Sequence, residues 1–264
     1  MKKFELTTES ITNVAGKKLF RIKALIDFGD VKAGEVGGYV EKEENVSQDG
    51  NAWVSGDARV YGNAMVYGDA RVYGNAWVYG NAWVSGDARV SGDARVSGDA
   101  RVSGDARVSG NARVSGNAMV YGNAWVYGNA WVYGNAMVYG DARVYGNAMV
   151  YGDARVSGNA MVYGDARVSG NAMVYGNAWV SGNAMVYGDA DYALVQGFGT
   201  EFRCTTFYRD KNKKTMVNCG CFHGNLEQFR EQVKKTRTGK IAKEYLTIAD
   251  LMEEHFASED SDNE

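Results

Sequence analysis

The sequence predicts a mainly β protein: a triangular parallel β-solenoid with a β cap before it and a small ββαα domain after it. Three observations lead to this class. A six-residue unit, [Asn/Asp]-Ala-[Arg/Met/Trp]-Val-[Tyr/Ser]-Gly, occurs 23 times without a break from residue 51 to residue 188. The chain has 34 glycines and no proline, so glycine must form the turns. The composition changes on both sides of this array.

Each unit is expected to form one very short strand and one corner. In Ala-x-Val, the alternation of a strand places Ala and Val on one face and x on the other. The [Tyr/Ser]-Gly-[Asn/Asp] residues that follow are turn formers, because Gly adopts positive φ freely and Asn and Asp tolerate the left-handed region. Such a strand cannot bury its apolar face alone. We therefore expect three units to close a coil of about 18 residues, and about eight coils to stack roughly 4.8 Å apart.

The x positions are predicted to point outward and to form an interaction surface. All six tryptophans of the chain occupy x positions, and 13 tyrosines occupy corners. Exposed aromatic ladders often mark interfaces, although stacking of the side chains on one another is the alternative explanation. The residues assigned to this surface are Trp53, Trp77, Trp83, Trp125, Trp131, Trp179, Arg89, Arg95, Arg101, Arg107 and Arg113.

The stretch from Ser85 to Ser115 differs from the other units, because every corner is Ser and every outward residue is Arg. Asp precedes nearly every Arg by two residues, and Asn111 is the exception. Stacked guanidinium groups repel each other unless carboxylates lie nearby. We therefore expect a near-neutral lattice of Asp–Arg ion pairs here rather than a phosphate-binding stripe.

The boundaries of the array predict four parts of the chain. Residues 1–36 are expected to form a β cap, because the end coils of a solenoid expose unpaired edges. The solenoid is predicted over residues 37–196, which include a degenerate 24th unit at residues 189–194. Residues 197–257 are predicted to form the ββαα domain. The last residues, 258–264, are acidic and are expected to be disordered.

The ββαα domain is predicted from turn and helix signals. TEFRCTTFYRD and KTMVNCGCFH are typical of a β-hairpin with its turn at residues 210–214. Asn225 is then expected to cap a helix that carries Leu226, Phe229 and Val233 on one side. Apolar residues at helical spacing predict a second helix over residues 241–256.

Cysteine and histidine residues in this domain are candidates for a metal or catalytic site. Cys219, Cys221 and His223 alternate, which would place them on one strand face with Cys204 opposite, and three thiolates with one imidazole are typical zinc ligands. The spacing is not that of a zinc knuckle, and Cys is also a common small core residue. We therefore favour core packing and expect no metal and no cofactor. A catalytic Cys–His pair would need a lowered thiol pKa, which the sequence does not indicate.

The unit resembles the hexapeptide repeat of left-handed parallel β-helices, in which an aliphatic residue is followed four places later by a small one, as in Val84 and Ala88. The resemblance implies a left-handed coil. It also implies acyltransferase activity, which in that family uses a His on a coil. The array contains no His, Cys or Lys, and the two histidines, His223 and His255, lie outside it. An acyl-CoA-dependent transferase with His223 at the junction of the solenoid and the last domain therefore stays an alternative.

The chain as a whole is similar to the YdcK-like β-solenoid proteins of bacteria and their phages. The similarity lies in FRIKALIDFGDVKAGEVGGYVEKEENVSQDGNAWV, in the hexapeptide array and in the GCFHG segment. It implies the fold and leaves the activity open. We expect a non-enzymatic scaffold or interaction protein, in the phage case an accessory protein that acts on a host factor.

Charge and composition bound the partners and the compartment. The net charge of −3 disfavours a nucleic-acid partner, although the basic residues near the predicted helices leave nucleic-acid binding as a second alternative. These residues are Lys211, Lys213, Lys214, Lys234, Lys235, Arg237, Lys240 and Lys243. The absence of a signal peptide, of a long apolar run and of paired cysteines predicts a cytoplasmic protein without membrane contact. We expect a protein partner or self-association as a dimer or trimer.

Overall fold

The computed structural model describes residues 2–188, 191–199, 203–210 and 212–257. The predicted acidic tail, residues 258–264, and Lys211 lie outside these residues. Within the described ranges, no helix combines the length and the apolar composition that a membrane crossing requires.

The N-terminal cap consists of three strands, β1 (Phe4–Thr12), β2 (Lys18–Ala24) and β3 (Val36–Val40). β1 pairs with β2 and β2 with β3, both in the antiparallel direction. β3 pairs on its other side in the parallel direction with the strand Arg59–Val60 of the array. It therefore joins the antiparallel cap to the parallel coils. A short 3-10 helix, Glu43–Asn45, follows β3.

The array forms 23 strands of two residues, one for each unit. Strands three units apart pair in parallel, so Arg89 lies beside Arg107 and Val90 beside Val108. The strands are Trp53–Val54 (β4), Arg59–Val60 (β5), Met65–Val66 (β6), Arg71–Val72 (β7), Trp77–Val78 (β8), Trp83–Val84 (β9), Arg89–Val90 (β10), Arg95–Val96 (β11), Arg101–Val102 (β12), Arg107–Val108 (β13), Arg113–Val114 (β14), Met119–Val120 (β15), Trp125–Val126 (β16), Trp131–Val132 (β17), Met137–Val138 (β18), Arg143–Val144 (β19), Met149–Val150 (β20), Arg155–Val156 (β21), Met161–Val162 (β22), Arg167–Val168 (β23), Met173–Val174 (β24), Trp179–Val180 (β25) and Met185–Val186 (β26).

These strands form three sheets around one apolar interior, and the predicted solenoid is confirmed. The Ala and Val of every unit have no exposed surface. Backbone hydrogen bonds join successive coils, for example from Arg89 N to Ala106 O at 2.9 Å. Stacked tyrosine rings of neighbouring coils lie 4.8 Å apart for Tyr127 and Tyr145, close to the expected strand spacing. The left hand of the coil, implied by the resemblance, stays a prediction.

The corner glycines are required for two reasons, as Gly104 illustrates. Its φ is +66°, a conformation that other residues adopt only at a cost. A Cβ atom at this position would also lie 3.0 Å from the backbone nitrogen of Gly122 in the next coil. The turn and the close stacking of coils therefore both depend on the missing side chain.

The last domain is a four-stranded antiparallel sheet followed by two helices. The strands are β27 (Tyr192–Phe198), β28 (Arg203–Arg209), β29 (Thr215–Cys219) and β30 (Phe222–Asn225), in this order across the sheet. The predicted hairpin is the β28–β29 pair. The predicted 24th unit is wrong: of its described residues, Tyr192 to Leu194 pair with β28 and form no coil.

The helices agree with the prediction. Helix α1 spans Leu226–Thr236, and the Asn225 side chain accepts a hydrogen bond from Gln228 N at 2.9 Å, as expected of an N-cap. Helix α2 spans Gly239–His255. Both helices pack on one face of the sheet in a small core that includes Phe207, Val217, Phe229, Val233, Tyr245, Ile248, Ala249 and Met252.

Side chains satisfy the backbone groups that the two ends of the solenoid leave unpaired. At the first coils, the buried Lys3 ammonium donates to Ala52 O at 2.9 Å, and Asn45 Nδ2 donates to Ala64 O at 2.8 Å. At the last coil, Asn218 Nδ2 donates to Trp179 O at 2.8 Å, and Trp179 N donates to Thr206 Oγ1 at 3.0 Å. Both edges are thus closed against the addition of further strands.

Candidate functional site

Six of the outward Arg residues lie against tryptophan rings of neighbouring coils. Because equal positions of successive coils lie side by side, an Arg next to a Trp places its guanidinium over the indole face. Arg95 lies 4.9 Å from the Trp77 ring centre and Arg107 lies 4.8 Å from that of Trp125. Arg101 over Trp83 and Arg113 over Trp131 repeat this arrangement at 5.1 Å and 4.6 Å. At this distance each pair is a cation–π contact.

The predicted lattice of Asp–Arg ion pairs is wrong. All five Arg residues between Ser85 and Ser115 are exposed, and none of them forms an ion pair with a carboxylate among the described residues. The carboxylates lie at the corners, where two of the four accept hydrogen bonds from asparagine amides. Asn75 Nδ2 donates to Asp93 Oδ1 at 3.0 Å, and Asn81 Nδ2 donates to Asp99 Oδ1 at 2.9 Å.

Stacking covers the faces of some tryptophans and leaves their edges exposed. Trp77 has Arg59 on one side at 5.1 Å and Arg95 on the other at 4.9 Å. Trp83 and Trp131 still expose 40% and 41% of their surface. The surface is therefore a mixed ladder of indole edges and guanidinium groups. The side chains stack on one another and yet remain accessible, so the interaction surface stays a prediction.

Trp53 does not belong to the outer surface, and its assignment there is corrected. It is 1% exposed and is covered by the N-terminal cap. Its ring meets the Phe4 ring at 6.2 Å and the Phe28 ring at 5.4 Å, both edge to face. Position x points out of the solenoid here too, but the cap lies against the first coil and turns this tryptophan into a core residue. Trp179 is half-buried beside the last domain, at the other end of the same sheet.

The corners of the coils carry stacks of tyrosine rings along the rod. Tyrosines stack face to face at 4.8 Å to 5.1 Å, as in Tyr127, Tyr145 and Tyr163. Burial raises the pKa of Tyr145, and the neighbouring Tyr127 raises it further. The hydroxyl of Tyr145 therefore stays neutral and can donate and accept hydrogen bonds. Tyr175 and Tyr187, in the last units of the array, are 56% and 50% exposed.

The predicted shared strand face of Cys219, Cys221 and His223 is wrong. Gly220 and Cys221 form a two-residue turn between β29 and β30, so Cys221 is exposed at the tip of a hairpin. The Cys219 sulfur accepts a hydrogen bond from Thr205 Oγ1 at 3.1 Å. Among the residues that the structure describes, no three potential metal ligands come together. Gly in the first turn position permits this tight hairpin, a signal that the sequence interpretation missed.

His223 belongs to a hydrogen-bonded joint between the last domain and the last coil. Its Nδ1 donates to Asn218 Oδ1 at 2.6 Å, and Asn218 also donates to Ser181 Oγ at 3.0 Å. The neighbouring Tyr208 is buried, which raises its pKa to about 12. A cavity of about 120 Å³ adjoins His223, which is small compared with ligand pockets of roughly 300–1,000 Å³. The network is suited to holding the domain in place.

A larger cleft lies between one face of the solenoid and the last domain. Its volume is about 550 Å³, and its walls include Arg143, Met161 and Trp179 from the coils and Gln196 and Cys204 from the domain. Burial raises the pKa of the Cys204 thiol, so this thiol is neutral rather than an activated nucleophile. The cleft brings together residues that no sequence motif connects.

These features define the protein as a capped parallel β-solenoid repeat protein. A family model described as YdcK β-solenoid repeat matches the array at residues 58–72, 70–86, 82–98, 88–104, 100–116, 112–128, 130–144, 142–156, 154–168 and 166–182. The array is therefore identified as a YdcK β-solenoid repeat. The comparison with curated proteins found no match.

Proposed function

We propose that the protein is a non-enzymatic scaffold: a rod of defined length that binds a protein partner through its outward ladders. One observation carries this proposal. All chemical variation among the 23 units lies on the outside, while the interior of Ala and Val is closed and both ends are capped. A molecule built in this way offers many surface groups at constant spacing.

The composition of the ladders favours a protein partner. Tyr, Trp and Arg are the residues that dominate the energetics of protein interfaces, and the rod presents all three in register. Cation–π stacking holds the Arg and Trp side chains in place before binding, for example Arg113 over Trp131. Side chains ordered in advance lose less conformational entropy when a partner binds. A second copy of the chain could bind the same surface, which would form a dimer or trimer.

The repeat supplies substitutions that test the surface without disturbing the fold. Arg and Met occupy the x position in many units, so both residues are compatible with the coil. A variant with Trp83→Arg, Trp125→Arg and Trp131→Arg removes the indole edges. A matched control with Met65→Arg, Met137→Arg and Met149→Arg introduces the same charge on the same rod and keeps every tryptophan.

The measurement is cross-linked capture from a cell lysate, quantified by mass spectrometry, together with the solution mass from light scattering. We expect the tryptophan variant to lose a partner, or its own oligomeric state, at least tenfold while the control retains it. Thermal unfolding of both variants checks that the fold is intact. If the tryptophan variant captures every partner of the unmodified chain equally well, the ladders do not form the interface.

No observation favours acyl transfer as a second candidate. The coils carry no His, and the cavity beside His223 is small. Steady turnover of acetyl-CoA or succinyl-CoA by the purified chain would overturn the non-enzymatic proposal. The variant His223→Ala would then show whether the activity depends on the junction. The predicted phage origin, host factor and cytoplasmic location stay predictions.

A further inference from the structure

The two helices of the last domain carry their charges in separate places. Five cations lie around the turn between α1 and α2, and all of them are exposed. We call this surface the basic corner. Its residues are Lys234 and Lys235 in the last turn of α1, Arg237 at its C-cap, and Lys240 and Lys243 at the start of α2.

Two carboxylates of the same helices, Asp250 and Glu253, lie elsewhere. Arg230 binds Asp250 at 2.8 Å and Glu253 at 2.7 Å, which places these acids away from the α1–α2 turn. The first turn of α2 has no acidic residue. In the part of the chain that the structure describes, Lys240 alone among the five cations forms an ion pair, with Glu244 at 3.6 Å. The two helices carry balanced charge as a whole, but the basic corner has a local excess of positive charge.

The sheet of the last domain keeps the basic corner away from the solenoid. Phe207 and Val217 face the helices, whereas Tyr208 and Asn218, their neighbours along the strands, face the last coil. The two helices thus form the outer layer of the domain. A long polyanion can reach the corner without meeting the rod.

We propose that the basic corner binds the phosphate backbone of double-stranded nucleic acid without reading its sequence. A row of phosphates supplies the regular negative charge that five unpaired or weakly paired cations require. Tyr245, the aromatic residue of α2, is buried in the domain core, so it offers no ring on which a base can stack. The interaction is therefore expected with the backbone of a duplex rather than with single-stranded bases.

The charge count sets the salt dependence. If four or five phosphates are neutralised, the logarithm of the binding constant falls with the logarithm of the salt concentration with a slope of about −4. Between 50 mM and 200 mM salt, this slope lowers the affinity by roughly 250-fold. The dissociation constant at physiological salt is expected at about 10⁻⁴ to 10⁻⁶ M, as for other sequence-independent binding.

The test is fluorescence anisotropy of a labelled 20-base-pair DNA duplex titrated with the full chain over this salt range. One variant carries Lys234→Gln, Lys235→Gln and Lys240→Gln. The control carries Lys23→Gln, Arg155→Met and Arg167→Met, which removes three exposed cations that lie outside the basic corner and have no tryptophan contact among the described residues. Both variants change the net charge by the same amount.

We expect the corner variant to bind at least tenfold more weakly at the lowest salt, with a slope nearer about −2. The control should bind like the unmodified chain. The inference is overturned if the unmodified chain does not bind the duplex at 50 mM salt, if both variants lose the same affinity, or if only the control loses it. None of these results bears on capture through the tryptophans, so the two proposals fail independently.

Discussion

The tryptophans at position x give a direct test of how the cap stabilises the rod. Trp53 and Trp131 occupy the same position, x, of two different units, but Trp53 is 1% exposed and Trp131 is 41% exposed. The perturbation is a pair of identical substitutions, Trp53→Ala and Trp131→Ala. Any difference between them comes from the tertiary environment alone.

The expected magnitudes follow from the contacts. Replacing a fully buried Trp by Ala costs about 3–5 kcal/mol, because apolar contact is lost and a cavity remains. Trp53 also loses its edge-to-face contacts with Phe4 and Phe28. Trp131, which is 41% exposed, loses its cation–π contact with Arg113 but much less apolar burial, a difference of about 2 kcal/mol at ~25 cal/mol per Å². The Trp53 variant should therefore be destabilised by at least ~2 kcal/mol more.

The assay is urea unfolding followed by circular dichroism, combined with amide hydrogen exchange. In a repeat protein the cap can open before the coils, so exchange in β1, β2 and β3 should accelerate in the Trp53→Ala variant. Exchange in the coils around Trp131 should change little in either variant. Equal losses of unfolding free energy in the two variants would refute the role assigned to the cap.

Three further predictions address the corners and the ends of the rod. Gly104→Ala should lower the unfolding free energy by more than ~2 kcal/mol in urea titrations, whereas Gly16→Ala should lower it by about 1 kcal/mol. Both glycines have positive φ, but only a Cβ at Gly104 would contact the next coil. Comparable losses would contradict the close-approach argument. Burial lowers the pKa of Lys3 from 10.5 to about 8, so the unfolded chain binds the extra proton between these values and stability should rise with pH there, by up to roughly 3 kcal/mol. Urea midpoints of the Lys3→Met variant should lack this rise, and an identical pH profile would exclude the lysine as its source. Asn129→Asp keeps the acceptor but loses the hydrogen bond from Nδ2 to Asn147 Oδ1, so we expect about 1 kcal/mol of thermal destabilisation, and an unchanged melting curve would show that the amide ladder adds no stability.

The repeat made most of the architecture predictable. Six-residue periodicity implied the strand, the corner and the register, and Ala and Val lie inside in every unit. The cap at Asn225 and the buried faces of both helices were equally predictable from the sequence, because these signals are local. The hairpin at Gly220 was missed, since alternation along a strand cannot show where the strand stops. The cleft beside Trp179 has no signal in the sequence, because its walls come from segments that are distant along the chain.

The sequence by itself determined which residues face inward, how many units form the rod and which chemistry lies outside. Local periodicity suffices for this, because every coil repeats the same backbone geometry. Tertiary structure alone decided which outward residues remain free. Docking of the cap buries Trp53, stacking at about 5 Å places Arg guanidinium groups over indoles rather than beside carboxylates, and packing of α1 against α2 gathers the basic corner. Exposure and charge pairing depend on contacts between distant segments, and such contacts exist only once the chain is folded.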